Sequence, residues 1–348
     1  MTEFQAAVHA AACTTAKGGP GMRYGIFSGA LWGLDTVVLG MALALAPFLG
    51  AGRAPLAGAA LHDAVCALIL LVYMTARGRL GDTLAAIRTR SGLAVVVGAL
   101  LGGPVGMTGY LIAINNIGPG YTAIISTFYP AVGTLLAVLL LGERMRPRQI
   151  AALLIALSAI VLIGWSSSAE QTRGSALVGV LAALGCVFGW GSEAVVLAWG
   201  MRDDKVDNET ALHIRQTTSG LTYLVVAPVS GALGFAARAV PTPATGVIAL
   251  AALAGTASYL FYYKAIGTIG ASRGMALNIS YSAWAVVFAL VLLRTVPSPL
   301  QVGCCVVILT GTVLAATPRW EDLRLRGRSR MRRTADDDID DGEGVTAT

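Results

Sequence analysis

The stretch Trp32-Gly33-Leu34-Asp35-Thr36-Val37-Val38-Leu39 recurs in altered form as Trp190-Gly191-Ser192-Glu193-Ala194-Val195-Val196-Leu197. Each copy sets an indole, a glycine and a carboxylate inside an apolar run long enough to cross a bilayer. A charge at that depth costs roughly 2.5–3.5 kcal/mol on insertion scales, so it marks a functional position by default. A phrase of this kind used twice raises the question of whether the surrounding chain is also doubled.

The chain of 348 residues is 55% hydrophobic and only 13% charged. A soluble protein carries about 25% charged residues. The charges are also crowded: 15 of the 44 Lys, Arg, Asp and Glu lie between Arg319 and Thr348. What remains is almost wholly apolar, as in an integral membrane protein. The five cysteines (Cys13, Cys66, Cys186, Cys304, Cys305) have no disulfide or metal spacing. Nothing in the composition implies a cofactor, a metal or a nucleic-acid partner; the bilayer itself is the expected partner.

Runs of about 20 apolar residues span the hydrocarbon core as helices. Ten are expected, at 24–46, 57–77, 92–113, 119–141, 148–165, 175–199, 212–235, 244–266, 273–293 and 300–316. With the N-terminus in the cytoplasm, 19 Lys and Arg fall on the inside and 4 on the outside. That bias places both termini in the cytoplasm of a plasma-membrane protein. Ala60-Leu61-His62 recurs as Ala211-Leu212-His213, and Tyr110, Tyr129, Pro147 and Gln149 recur at an offset of 152 as Tyr262, Tyr281, Pro299 and Gln301. Five spans is an odd number, so two such halves insert with opposite orientation, an architecture of secondary transporters with a midplane site. The expected organisation is a disordered tail (1–22), a first five-helix repeat (23–167), a second (174–317) and a disordered charged cytoplasmic tail (318–348). Gly98, Gly102 and Gly106 form a face that admits a close neighbour. Pro104 and Pro130 inside expected spans invite bends.

Ten spans in two halves, with Leu141-Gly142-Glu143-Arg144 after the fourth, resemble the EamA-type drug/metabolite transporters. Within that superfamily the chain is most similar to LicB-type bacterial choline transporters. The phrases that carry this are Trp190-Gly191-Ser192-Glu193, Ile214-Arg215-Gln216 with Thr218-Ser219, Ser258-Tyr259-Leu260 with Tyr262-Tyr263, and Asn278-Ile279-Ser280-Tyr281 with Trp284. The resemblance covers about residues 22–316. It implies uptake of choline or a related quaternary ammonium compound, with protons as a coupling partner.

Such a cation has no N–H to donate, so aromatic faces must hold it, each worth about 0.5–2 kcal/mol, with a carboxylate nearby. Trp32, Trp190, Tyr129, Tyr262, Tyr263, Tyr281 and Trp284 are the candidate walls, with Glu193 as the anion; packing between helices or in interfacial belts is the alternative for each ring. Asp35 occupies the place of Glu193 in the first half, where the choline transporters carry a small neutral residue. A proton site, a partner for Lys264 or Arg215, or a different cation are its open roles. His62 and Asp63 are either a proton relay or a hydrated pair at the outer mouth. Arg215 is expected to snorkel to the cytoplasm and His213 to be solvated. The rival functions are an exporter of amino acids, metabolites or cationic drugs on the same scaffold, and a membrane-embedded enzyme. No pair of the three histidines has helical metal spacing, and no Gly-x-Ser-x-Gly elbow occurs. The expectation is therefore not an enzyme. Oligomeric state leaves no trace in the sequence.

Overall fold

A computed structural model describes residues 18–167, 175–202 and 205–318. The expected tails lie outside these residues, except for Pro318 and for residues 18–22, where the first helix already begins at Gly18. In chain order the helices are α1 (Gly18–Leu43), α2 (Ala54–Ala76), α3 (Leu80–Ile87), α4 (Arg90–Leu100), a π-helical turn (Leu101–Met107), α5 (Thr108–Ser126), α6 (Tyr129–Leu141) and α7 (Pro147–Ser167). They continue as α8 (Ala176–Gly200), α9 (Asn208–Val229), α10 (Ala232–Ala239), α11 (Pro243–Ile269), α12 (Ala271–Asn278), α13 (Tyr281–Leu293) and α14 (Pro299–Ala316).

Among the described residues seven helical segments are long and apolar enough to cross a membrane, and α9 with α10 makes an eighth if that bent pair counts as one. Two shorter apolar helices, Tyr129–Leu141 and Pro147–Leu162, join them. With helices as the regular elements of its described residues, the chain is an integral membrane protein. Its outward faces carry Leu139, Leu140, Leu181, Val225 and Val229 exposed, a surface suited to hydrocarbon rather than water.

Local chemistry sets the helix ends. Thr89, Ser175, Asp207 and Ser298 accept hydrogen bonds from first-turn backbone N–H groups of α4, α8, α9 and α14. These are the residue types that satisfy otherwise orphaned donors. Two expected spans behave differently from their apolar runs. The seventh breaks at Ser230–Gly231, with a bend of 111°. Pro228 removes a backbone donor there and Gly231 takes φ 71, a left-handed turn suited to glycine. The loop expected between spans three and four is instead helical, because α5 runs from Thr108 to Ser126. The break falls at Thr127–Phe128, and Pro130 sits in the first turn of α6. Proline costs nothing at that place, since its missing N–H has no partner there anyway. Pro130 therefore starts a helix and does not bend one. Pro104 lies within the π-helical turn, where the i→i−4 ladder is already rewound.

Helix α1 lies along α11, α5 and α6 lie along α8, and α2 packs on both α9 and α11. The Gly98, Gly102 and Gly106 face meets α8, where a Cβ would approach Leu197, Glu193 and Trp190 respectively. These close approaches bring α1, α6, α8, α11, α12 and α13 around one cavity.

Candidate functional site

The two copies of the opening phrase use their glycines alike. A Cβ on Gly33 would lie 2.9 Å from the Tyr281 carbonyl oxygen, and one on Gly191 would lie 2.8 Å from that of Tyr129. Only a bare Cα lets α1 approach α13, and α8 approach α6, so closely. Each tryptophan is thereby held next to the first turn of its partner helix.

Between them is a cavity lined by Trp32, Tyr129, Trp190, Glu193, Ser258, Tyr259, Tyr262, Asn278 and Tyr281. The walls are stiff. Trp32 meets Tyr259 edge-on at 5.1 Å, and Trp190 meets Tyr129 edge-on at 5.9 Å. The Trp190 indole donates to the Gly102 carbonyl at 3.0 Å, which fixes its tilt from the π-helical turn. A polar seam lies behind: Tyr129 Oη donates to Asn278 Oδ1 at 2.9 Å, and Asn278 Nδ2 donates to Ser28 Oγ at 2.8 Å. Ser258 Oγ donates in turn to the Ser28 carbonyl at 2.8 Å.

Six of the eight expected binding residues line the cavity, and Tyr263 and Trp284 do not. Tyr263 is fully buried behind it, packed on Tyr259 and Tyr262. Tyr263 stands about 100° round the helix from Tyr262 and points away from the cavity into the neighbouring helices. Trp284 packs instead where Gly33 passes. Tyr259, Ser258 and Asn278 also line the cavity; they belong to the phrases that carry the family resemblance but are not among the expected walls. Tyr259 stands three residues before Tyr262, on the same helical face, and that spacing was the available signal.

The charged groups form one connected cluster. Arg215 is 2% exposed, so it does not snorkel. Its Nε donates to Glu193 Oε1 at 2.9 Å, its Nη2 to Tyr259 Oη at 3.0 Å and its Nη1 to Gln216 Oε1 at 2.9 Å. The guanidinium carbon stands 4.5 Å from the centre of the Tyr259 ring. Nη1 also approaches Asp63 Oδ2 at 3.8 Å. Asp63 accepts from Ser219 Oγ at 2.6 Å and faces His62 Nδ1 at 3.2 Å, and His62 Nε2 faces Asp35 at 3.0 Å. His62 and Asp63 are thus buried and not a hydrated mouth. Asp35 pairs with His62, and neither with Lys264 nor with Arg215. Of the two acids in the doubled phrase, Glu193 faces the cavity and Asp35 faces away. His213 is likewise buried, with Nδ1 2.9 Å from Thr83 Oγ1.

A second charged group closes one end of the bundle. Arg79 pairs with Asp82, Asp207 and Glu209. Those carboxylate hydrogen bonds, Asp82 first, raise the Arg79 guanidinium above its ordinary value. Partial burial pushes the Asp207 carboxyl up, but hydrogen bonds from the Thr210 backbone and from Arg79 outweigh it and hold the group below the usual carboxylate range.

The EamA-like transporter family matches the chain twice, at residues 19–165 and 177–317. Protein LicB of Haemophilus influenzae is 26% identical over 218 residues, which is 62% of this chain and 72% of that protein. A solved crystal structure superposes with a TM-score of 0.61 at 19% identity, covering 85% of this chain and 96% of its own. That likeness speaks for the fold alone. With the two family matches spanning most of its length, the chain belongs to the EamA-like transporter family and is related to LicB.

Proposed function

We propose that the chain imports choline or a related quaternary ammonium compound across the plasma membrane by alternating access. In this reading ten spans form two inverted five-helix repeats, 23–167 and 174–317, with both termini in the cytoplasm. The observation that carries it is the cavity itself, walled by Trp32, Tyr129, Trp190, Tyr259, Tyr262 and Tyr281 with Glu193 as its carboxylate. Rings hold a head group that cannot donate hydrogen bonds. Glu193 is partly neutralised by Arg215, so the rings carry most of the grip and the acid supplies the sign.

The repeat is supported by matching helix ends. α6 and α13 both have 13 residues, and their C-caps, Gly142 and Arg294, both adopt left-handed φ, 66° and 56°. Gln149 and Gln301 both reach back to accept from the backbone N–H at the head of their helix, at 3.0 and 2.8 Å. The orientation rests on the Lys and Arg bias. For a monovalent cation an inside-negative potential contributes about 2.3 kcal/mol per 100 mV, or roughly 40-fold accumulation.

The test is choline uptake into proteoliposomes with and without an imposed inside-negative potential. Uptake should rise with the potential and be competed by betaine but not by neutral amino acids. Indifference to the potential, or competition by neutral amino acids, would reject electrogenic import of a quaternary amine.

A further inference from the structure

His62 lies between two acids, with Nε2 3.0 Å from Asp35 Oδ1 and Nδ1 3.2 Å from Asp63 Oδ1. A neutral imidazole has one N–H, so one of its nitrogens would face a carboxylate lone pair to lone pair. An imidazolium donates to both. The three residues are 5%, 3% and 4% exposed, which leaves little room for water to relieve a mismatch. The other groups that face them are few. Cys66, on the same helix, lies 3.8 Å from Nδ1 and donates to the Ala252 carbonyl. Arg215 approaches Asp63 from α9, and Tyr223 on α9 and Tyr259 on α11 lie within electrostatic reach of the pair.

With its carboxylates ionised, the charge of the cluster can be counted. Asp35, Asp63 and Glu193 are its three acids and Arg215 its permanent base. Without a proton on His62, two negative charges are left over; with one, a single negative charge remains. A net charge enclosed in a low-dielectric interior is costly. Arg215 joins the two parts, 2.9 Å from Glu193 on the cavity wall and 3.8 Å from Asp63. The state cheapest to enclose is therefore the one in which the remaining charge is matched by a cation in the cavity.

We propose that Asp35, His62 and Asp63 form a proton site separate from the cavity, and that one proton there and one monovalent cation beside Glu193 together neutralise the cluster. Coupling is then one proton per cation. The stoichiometry rests on the import reading above; the proton site does not.

Two measurements separate them. ¹⁵N NMR of histidine-labelled protein resolves His62, because the chain has three histidines and the His62 signal is the one missing in His62→Gln. At neutral pH both His62 ring nitrogens should be protonated, and Asp35→Asn should remove that signature. A neutral tautomer in the native protein overturns the proton site. In proteoliposomes held at zero potential, an outside solution one pH unit more acidic should concentrate choline about tenfold, since one proton moved across one unit is worth a factor of about ten. No concentration, or about a hundredfold, overturns the one-to-one coupling. If choline neither binds nor accumulates, import and coupling fall together, while the NMR result still decides the proton site.

Discussion

Arg215→Met removes the guanidinium that Glu193, Gln216 and Tyr259 share, while roughly keeping the volume of the stem. Three hydrogen bonds of 2.9–3.0 Å and a ring contact at 4.5 Å disappear together. The larger effect lies with what stays behind. Glu193 and Asp63 are 6% and 4% exposed, and each is left as a buried acid short of positive charge. Breaking a buried pair from one side costs about 3–5 kcal/mol. The stacked ring adds about 0.5–2 kcal/mol. The thermal midpoint in detergent should therefore fall by on the order of 10 °C. A stranded carboxylate can escape by taking up a proton, so the loss should be smaller in acid than in alkaline buffer. Adding Glu193→Gln removes one stranded charge, and the double variant should recover at least about 1 kcal/mol relative to the sum of the single changes. A midpoint that Arg215→Met leaves unmoved, or strict additivity in the double variant, would refute the claim that this pair is a buried, mutually dependent one.

Trp190→Ala and Trp32→Ala should each weaken choline binding by about 0.5–2 kcal/mol, a factor of roughly 2 to 30, as read by calorimetry on purified protein. Gly102→Ala would drive a methyl group into the Glu193 carboxylate, whereas Gly40→Ala meets nothing within 4 Å. The first should lower uptake and the thermal midpoint and the second should not; equal behaviour would show that the close approach at Gly102 is unimportant. Asp207 caps α9 through Glu209 and Thr210 N–H groups, both at 2.9 Å, so Asp207→Ala should cost about 1 kcal/mol of stability. Because its carboxyl is held below the usual range, its contribution is present above the ordinary aspartate value and fades as pH falls through the lowered one. Half-exposure keeps this small, and an Asp207→Ala acid-denaturation profile parallel to the native one would remove it.

Much of the cavity was legible in the sequence because it rests on residue type and depth. Trp32, Trp190 and Glu193 were singled out by sitting in runs where neither an indole Nε1–H nor a carboxylate comes without cost. The partner of Glu193 was not legible. Apolarity placed the start of span seven at residue 212, which put Arg215 about one turn from water. Asp207 instead caps a helix that begins at Asn208, so Arg215 lies a further turn inside, against α8. Polar residues such as Asn208 and Glu209 hide a helix start from a reading based on hydropathy. The gap expected between spans ending at 113 and starting at 119 is filled by helix for a related reason. Glycine and proline permit a loop without requiring one, and helix α5 continues through them.

The two kinds of contact that border the cavity differ in how easily they part. The Arg215–Glu193 joint is rigid, since separating it strands charge in a place without water. The seam from Tyr129 through Asn278 to Ser28 and Ser258 consists of neutral groups, each bond worth about 0.5–1.5 kcal/mol. Hydroxyls and amides can trade partners one at a time, and the two serine hydroxyls 3.3 Å apart can bond in either sense. The molecule thus has both a stiff rivet and a zip among the contacts that border its cavity. Work done on this bundle, whether by ligand or by voltage, meets least resistance along the zip.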